Sequence, residues 1–274
     1  MMRSFDWVIY ALVLGVVVWT MFSQDPQADA PEPPPSVLES EGPTLPPPSP
    51  LDEQVLVQVS EPKDGIGTAF AVNKNGQWVT ARHVVDGCNS VGLLVAPGQY
   101  VPVDSIVVDP DHDLALLSTG RSPNSVKLDL NSPLRIGTAG YHVGYPQGRP
   151  GEVATKLMSR SKLITRGRRE GAEPILAWAE IGRTRGLSGS LGGISGGPVF
   201  DAWGTVRGVI VAESPRRGRI YTAAPTSLDA FLTSLSVERE DGPTETFAEE
   251  TYGPMSDNAR RRLQVVKVAC RVTP

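Results

Sequence analysis

An excess of charge of either sign is missing from this sequence: 26 Lys and Arg stand against 30 Asp and Glu, a formal net charge of −4. A surface that tracks phosphates needs a concentrated basic field, so nucleic acid is not expected as a partner. The basic clusters that do occur, Arg166–Arg169, Arg216–Arg219 and Arg260–Arg262, read as solvated loops, with substrate or lipid contact as the functional alternative. Histidine occurs only three times, as His83, His112 and His142, and cysteine only twice, as Cys88 and Cys270. No repeat of fixed period is visible, and beyond residue 52 almost no helical periodicity.

The one long apolar run lies at the start. Trp7 to Phe22 is 16 residues broken only by Thr20, with Trp7, Tyr10, Trp19 and Phe22 towards its ends. At ~1.5 Å per residue it gives roughly 24 Å of helix, slightly short of a hydrocarbon core of ~30 Å. Arg3 precedes it and no Lys or Arg follows until Lys63, which puts everything after Phe22 outside the cytoplasm. Residues 1–23 therefore read as a transmembrane signal-anchor. A cleaved signal peptide, with Ala28-Asp29-Ala30 as its small-residue site, is the alternative.

Residues 24–51 read as a linker. From Ser23 to Pro50 there are ten prolines, five acids and no basic residue. That composition cannot build a packed core and favours an extended, semi-rigid spacer.

From 52 to 235 the texture changes to short β-rich runs between turn formers. Strands are expected at Val55–Val59, Gly67–Val72, Gln77–Thr80, Val91–Val95, Val101–Val108, Leu114–Leu117, Ala139–Val143, Val153–Ser159, Ile175–Ala179, Val206–Val211 and Ile220–Ala223. Such a series indicates an all-β domain, a sandwich or barrels. A helix is expected from Thr226 to Leu235, capped by Thr226 or Ser227, with Leu228, Phe231, Leu232 and Leu235 on one face. In the tail, 236–274, the period-two series Val266, Val268, Cys270 and Val272 suggests a short strand packed back on the domain.

Three local signals carry chemistry. Thr80-Ala81-Arg82-His83-Val84-Val85 comes first, Asp113-Leu114-Ala115-Leu116-Leu117 second, and Gly192-Gly193-Ile194-Ser195-Gly196-Gly197-Pro198 third. A serine hydroxyl needs a base to become a nucleophile, and the tetrahedral intermediate needs donors aimed at its oxyanion. Gly193 and Ser195 have the offset to supply two backbone amides from a tight turn. Taken alone, each signal has a plainer structural reading: a glycine-rich turn, a structural histidine and a strand-start cap. A calcium loop at Asp109, Asp111 and Asp113 is excluded, because Leu114 occupies the position that needs glycine and Gly120 the one that needs Glu.

Chain order discriminates further. All three histidines precede Ser195, which excludes the Ser-acid-His order of α/β-hydrolases. No acid near Asp52 or Asp64 suggests the subtilisin order, which leaves His-Asp-Ser.

On these motifs, with Gly65-Ile66-Gly67-Thr68-Ala69-Phe70, Trp78-Val79-Thr80-Ala81-Arg82-His83, Gly196-Gly197-Pro198-Val199 and Ala224-Pro225, the segment 55–235 resembles the trypsin-like proteases of the bacterial HtrA/Deg type. The intervals, 30 residues from His83 to Asp113 and 82 from Asp113 to Ser195, resemble those of the family.

The resemblance implies two six-stranded antiparallel β-barrels and a serine endopeptidase with His83, Asp113 and Ser195 as its triad. Gly193 and Ser195 would form the oxyanion hole, and neither metal nor organic cofactor would be needed. Protein or peptide substrates, exported or misfolded, would be cut by a single-pass protein of the bacterial inner membrane facing the periplasm. A catalytically inactive relative acting as a membrane-tethered binding module is the alternative.

Three departures stand out. Ile194 replaces the Asp or Asn usual before the nucleophile, no Ile-Val-Gly-Gly activation sequence occurs, and the 39 residues after the helix are too few for a PDZ domain. In an exported protein Cys88 and Cys270 could pair and tie the tail beside the turn after His83; two unconnected thiols are the other possibility.

Overall fold

Glycine at positive φ turns the chain between runs of buried Val, Leu and Ala. Gly76 (φ 82°) lies between the second and third strands and Gly98 (φ 72°) between the fourth and fifth. The computed structural model describes residues 42–273. The first half contains β1 (Glu53–Val59), β2 (Gly65–Ala71), β3 (Gln77–Thr80), the single-turn helix α1 (Arg82–Val85), β4 (Ser90–Ala96), β5 (Gln99–Pro102), β6 (Ser105–Val108) and β7 (Ala115–Ser118). The second half contains β8 (Lys127–Leu128), β9 (Ala139–Gly144), β10 (Gly151–Gly167), β11 (Gly171–Arg183), β12 (Pro198–Phe200), β13 (Thr205–Ser214) and β14 (Arg219–Ala223). Then come α2 (Pro225–Ser234), α3 (Tyr252–Arg261) and β15 (Val265–Arg271).

The strands form two sheets, and the expected six-stranded, wholly antiparallel barrels need correction. In the larger sheet, β9, β10, β11, β14, β13 and β12 close a ring, because β9 pairs with both β10 and β12. Two more strands join it in parallel, β1 on β10 and β8 on β13, making eight. The other sheet has seven strands in the order β5-β4-β15-β2-β3-β7-β6. Its extra member is the tail strand, which enters antiparallel between β2 and β4.

The tail is thus an interior strand, paired on both sides, and not an appendage to 52–235. Val265, Val266 and Val268 are fully buried in the main core, while α3 buries Tyr252 and Ala259. Arg260 also corrects the reading of its cluster as a solvated loop: its buried guanidinium pairs with the buried carboxylates of Glu152 and Asp257. The end of the proline-rich stretch docks as well. Leu45 is buried beside Leu134 and Trp178, and the N–H groups of Gly42 and Leu45 donate to the carbonyls of Ile136 and Leu134. Helix α2 begins one residue earlier than expected, with Ala224 as its N-cap and Pro225 in its first turn; neither Thr226 nor Ser227 caps it. The proposed membrane span at 1–23 lies outside the described residues. No helix among the described residues is long and apolar enough to cross a membrane.

Cys88 and Cys270 are joined as a disulfide across 182 residues of chain. The bridge fastens β15 to the turn that follows α1. Reducing it, or replacing Cys88 by Ser, is expected to lower stability by about 2–5 kcal/mol, read as an earlier midpoint in urea unfolding. An unchanged midpoint would mean that the strand pairings alone hold the tail.

Candidate active site

The two sheets meet along a cleft of about 470 Å³ that His83, Asp113, Gly193 and Ser195 all line. They reach it from three places in the chain: α1, the turn before β7 and the loop between β11 and β12.

His83 sits on α1, whose Val84 and Val85 are buried and so orient the turn. Its side chain is 41% exposed on the cleft, whereas that of Asp113 is 9% exposed. Asp113 precedes β7 at the end of a tight turn. The carboxylate of Asp109 shapes that turn by accepting the N–H groups of Asp111 at 2.8 Å and His112 at 3.0 Å. Those local donors, together with His112 Nδ1 at 3.1 Å, occupy Asp109 where a cation loop would have needed it.

Asp113 holds the histidine twice. Its Oδ1 accepts the backbone N–H of His83 at 2.9 Å, and its Oδ2 lies 2.6 Å from Nδ1 of the ring. Burial works against charge on both partners and is outweighed on both by their mutual attraction. The imidazole's pKa is raised above its ordinary value and the carboxyl's is lowered. The pair therefore favours Nδ1–H on the neutral ring, leaving Nε2 as its free base.

Behind Asp113 stands a second carboxylate that sequence reasoning missed. Glu173, on β11 of the other sheet, is buried and accepts the Asp113 N–H with both oxygens, at 3.1 and 3.0 Å. Burial first, and then the negative charge of Asp113, push it up to about 7. Nothing in its local sequence marks it, because only the packing of one sheet on the other brings it there.

Ser195 lies in the loop between β11 and β12. The loop is a tight double turn: Ile194 N–H donates to Leu191 O and Gly197 N–H to Ile194 O, each at 2.9 Å. Two glycines are required by geometry. Gly193 has φ 103° and Gly196 φ 84°, and a Cβ on Gly196 would come within 2.2 Å of the Thr68 carbonyl and the Thr80 hydroxyl. The Ser195 turn is thereby pressed against β2 and β3 of the other sheet. Thr68, also missed from sequence, stitches the seam. Its N–H donates to Ser195 O at 2.9 Å, and its hydroxyl donates to Gly193 O at 2.8 Å while accepting the Tyr145 N–H at 3.1 Å. Ile194 is buried in an apolar cluster with Val153, Leu191, Ile210 and Ile220. After β12, Asp201 closes the hairpin by accepting the N–H groups of Trp203 and Thr205.

Among proteins of known sequence, the chain is 30% identical over 184 residues to a probable periplasmic serine endoprotease, DegP-like, of Brucella suis, a match covering 63% of this chain and 34% of that protein. It is also 30% identical to the chloroplastic Protease Do-like 5 of Arabidopsis thaliana, covering 57% of this chain and 50% of the relative. The chain spans between a quarter and a half of the length of these and a further relative, an uncharacterized protein of Sinorhizobium fredii. The active form of the Rv3671c protease from M. tuberculosis superposes with a TM-score of 0.51 at 17% identity, over 80% of this chain and all of that one, a likeness of fold. A model of the trypsin-like peptidase domain matches residues 67–209, just over half of the chain. The chain belongs to the trypsin-like peptidase domain family, with relatives of the DegP/HtrA type.

Proposed function

We propose that this chain is a serine endopeptidase that cuts protein segments through an acyl-enzyme. The reading rests on one observation above all: the doubly bonded Asp113–His83 pair shares a cleft with the Gly193–Ser195 turn.

In this reading Ser195 Oγ attacks the peptide carbonyl as His83 Nε2 takes its proton. Asp113 holds the ring in the right tautomer and stabilises the imidazolium. The oxyanion receives N–H donors from Gly193 and Ser195, neither of which has an acceptor among the described residues. Collapse breaks the C–N bond, and the leaving amine takes the proton from His83. Water then enters, gives its proton to His83 and its oxygen to the acyl carbon, and Ser195 leaves re-protonated.

Similarity to a probable periplasmic serine endoprotease supports a location outside the cytoplasm. Exported or misfolded proteins as the substrate class belong to the same reading, as does tethering by residues 1–23.

Labelling with a fluorophosphonate probe tests it. The wild type should be labelled and Ser195→Ala should not; equal labelling of both, or of neither, would overturn it.

A pH profile adds a second check. Catalysis needs the neutral imidazole, and the folded-state pKa of His83 is raised, so kcat/KM should fall on acidification with a midpoint above pH 6.5. The charge of Glu173 contributes to that raising. Glu173→Gln removes the charge but keeps an acceptor for the Asp113 N–H, so the acid limb should move to lower pH. A limb that stayed in place would separate Glu173 from the titration.

A further inference from the structure

Ile194 is apolar and buried, so no ion pair at that position can order the oxyanion-binding turn. Two glycines in succession, Gly192 and Gly193, leave the peptide between them free to rotate at small cost. In one orientation its N–H faces the cleft; in the other its carbonyl does, and the donor is lost.

The structure points to what selects between them. The carbonyl of Gly192 accepts the backbone N–H of Gln147 at 2.6 Å. C=O and N–H point in opposite directions across a trans peptide, so the Gly193 N–H is turned away from Gln147. The Gln147 side chain grips the same loop, with Nε2 donating to Ser188 O at 2.8 Å and Ser190 O at 2.9 Å. From the other side, Glu213 accepts the Leu191 N–H at 2.9 Å and the Ser190 hydroxyl at 2.5 Å.

Gln147 does this from a left-handed conformation (φ 52°, ψ 24°) in the 3-10 turn Pro146–Gly148, although it is exposed and not a glycine. Strain of this kind persists only where surrounding contacts hold it. Those contacts are the loop itself and Lys267 of β15, whose Nζ donates to Gly148 O at 3.3 Å.

We propose that Gln147 is a positioning residue for the oxyanion hole, clamping segment 188–192 so that the Gly193 amide faces the cleft. This rests on the endopeptidase reading above. It replaces the ion pair that the buried Ile194 cannot make with three hydrogen bonds from a neighbouring turn.

Gln147→Gly separates this role from a structural one. Glycine keeps the N–H and accepts the positive φ without strain, losing only the side-chain clamp. Its melting temperature should be unchanged or higher. Its kcat on a peptide substrate, and its rate of phosphonylation, should fall about tenfold or more. KM should stay within about threefold. Gln147→Glu, equal in size but an acceptor facing two carbonyls at neutral pH, should lose at least as much.

Wild-type kcat in either variant would overturn the proposal while leaving the endopeptidase reading intact, and so would a loss confined to KM or to thermal stability. A wild-type protein that fails to react with the fluorophosphonate would instead overturn the endopeptidase reading, and this inference with it.

Discussion

Replacing Ser195 by Ala is expected to slow peptide cleavage about 10⁴- to 10⁶-fold while leaving the fold intact. Both halves of that expectation follow from how the residue is held. The structural contact of Ser195 is made by its backbone, whose carbonyl accepts the Thr68 N–H. Alanine preserves that bond and the flanking glycine turns. What disappears is the hydroxyl whose proton, in the proposed mechanism, the imidazole takes to form the acyl-enzyme. A residue of catalysis, about 10³- to 10⁴-fold over water, should survive from the oxyanion donors and substrate binding. The comparison requires matched thermal melts and the same peptide substrate. A variant that cut within about tenfold of the wild type would mean that the chemistry uses another nucleophile.

Asp113→Asn should cost about 10⁴-fold in kcat near neutral pH, also without unfolding the protein. The argument depends on which oxygen does what. Oδ1 accepts the His83 backbone N–H, so an asparagine would place its carbonyl there. Its NH₂ group would then face Nδ1 of the ring, in the position Oδ2 now holds at 2.6 Å. A donor at that place forces the opposite tautomer, with the proton on Nε2, and the ring can no longer accept one from Ser195. The loss should shrink at alkaline pH, where hydroxide can assist removal of the serine proton. Asp113→Asn activity equal to wild type at pH 7 would show that the pair is structural only.

Much of this architecture can be read from the chain because its strands are short and bounded by turn formers. Gln77–Thr80 forms with the bounds expected of it, and the ten other expected strands overlap observed ones. The differences have specific causes. Val101–Val108 reads as one apolar run but is two strands. Val103 donates to Val91 O and Asp104 to Ser118 O, so the chain changes partner between them, which hydrophobicity does not record. Strands β10 and β11 run well past their apolar centres because their pairing continues through polar positions such as Lys162 and Glu173. Helix α3 carries no broad apolar stripe; Arg260 and Asp257, buried with Glu152, are charges whose partner lies 108 residues away from Arg260.

The candidate site divides in the same way. His83, Asp113 and Ser195 each sit in a local pattern whose residues must be together for backbone reasons, such as the positive φ of Gly193 and Gly196. Glu173, Thr68 and Gln147 act across the seam between sheets or loops. Their neighbours in sequence say nothing of what they touch.

The central claim is that the ring of His83 and the hydroxyl of Ser195 work together on the same bound substrate, the hydroxyl at its carbonyl carbon and the ring at the neighbouring atom. A panel of peptide chloromethyl ketones tests this most directly. Such a reagent is attacked at its carbonyl by the serine, which brings its chloromethyl carbon to the imidazole for alkylation. Peptide mapping of the inactivated protein should find the alkyl group on His83 in the wild type and not in Ser195→Ala. Alkylation of His83 at the same rate in both proteins, or of neither protein by any member of the panel, would contradict it.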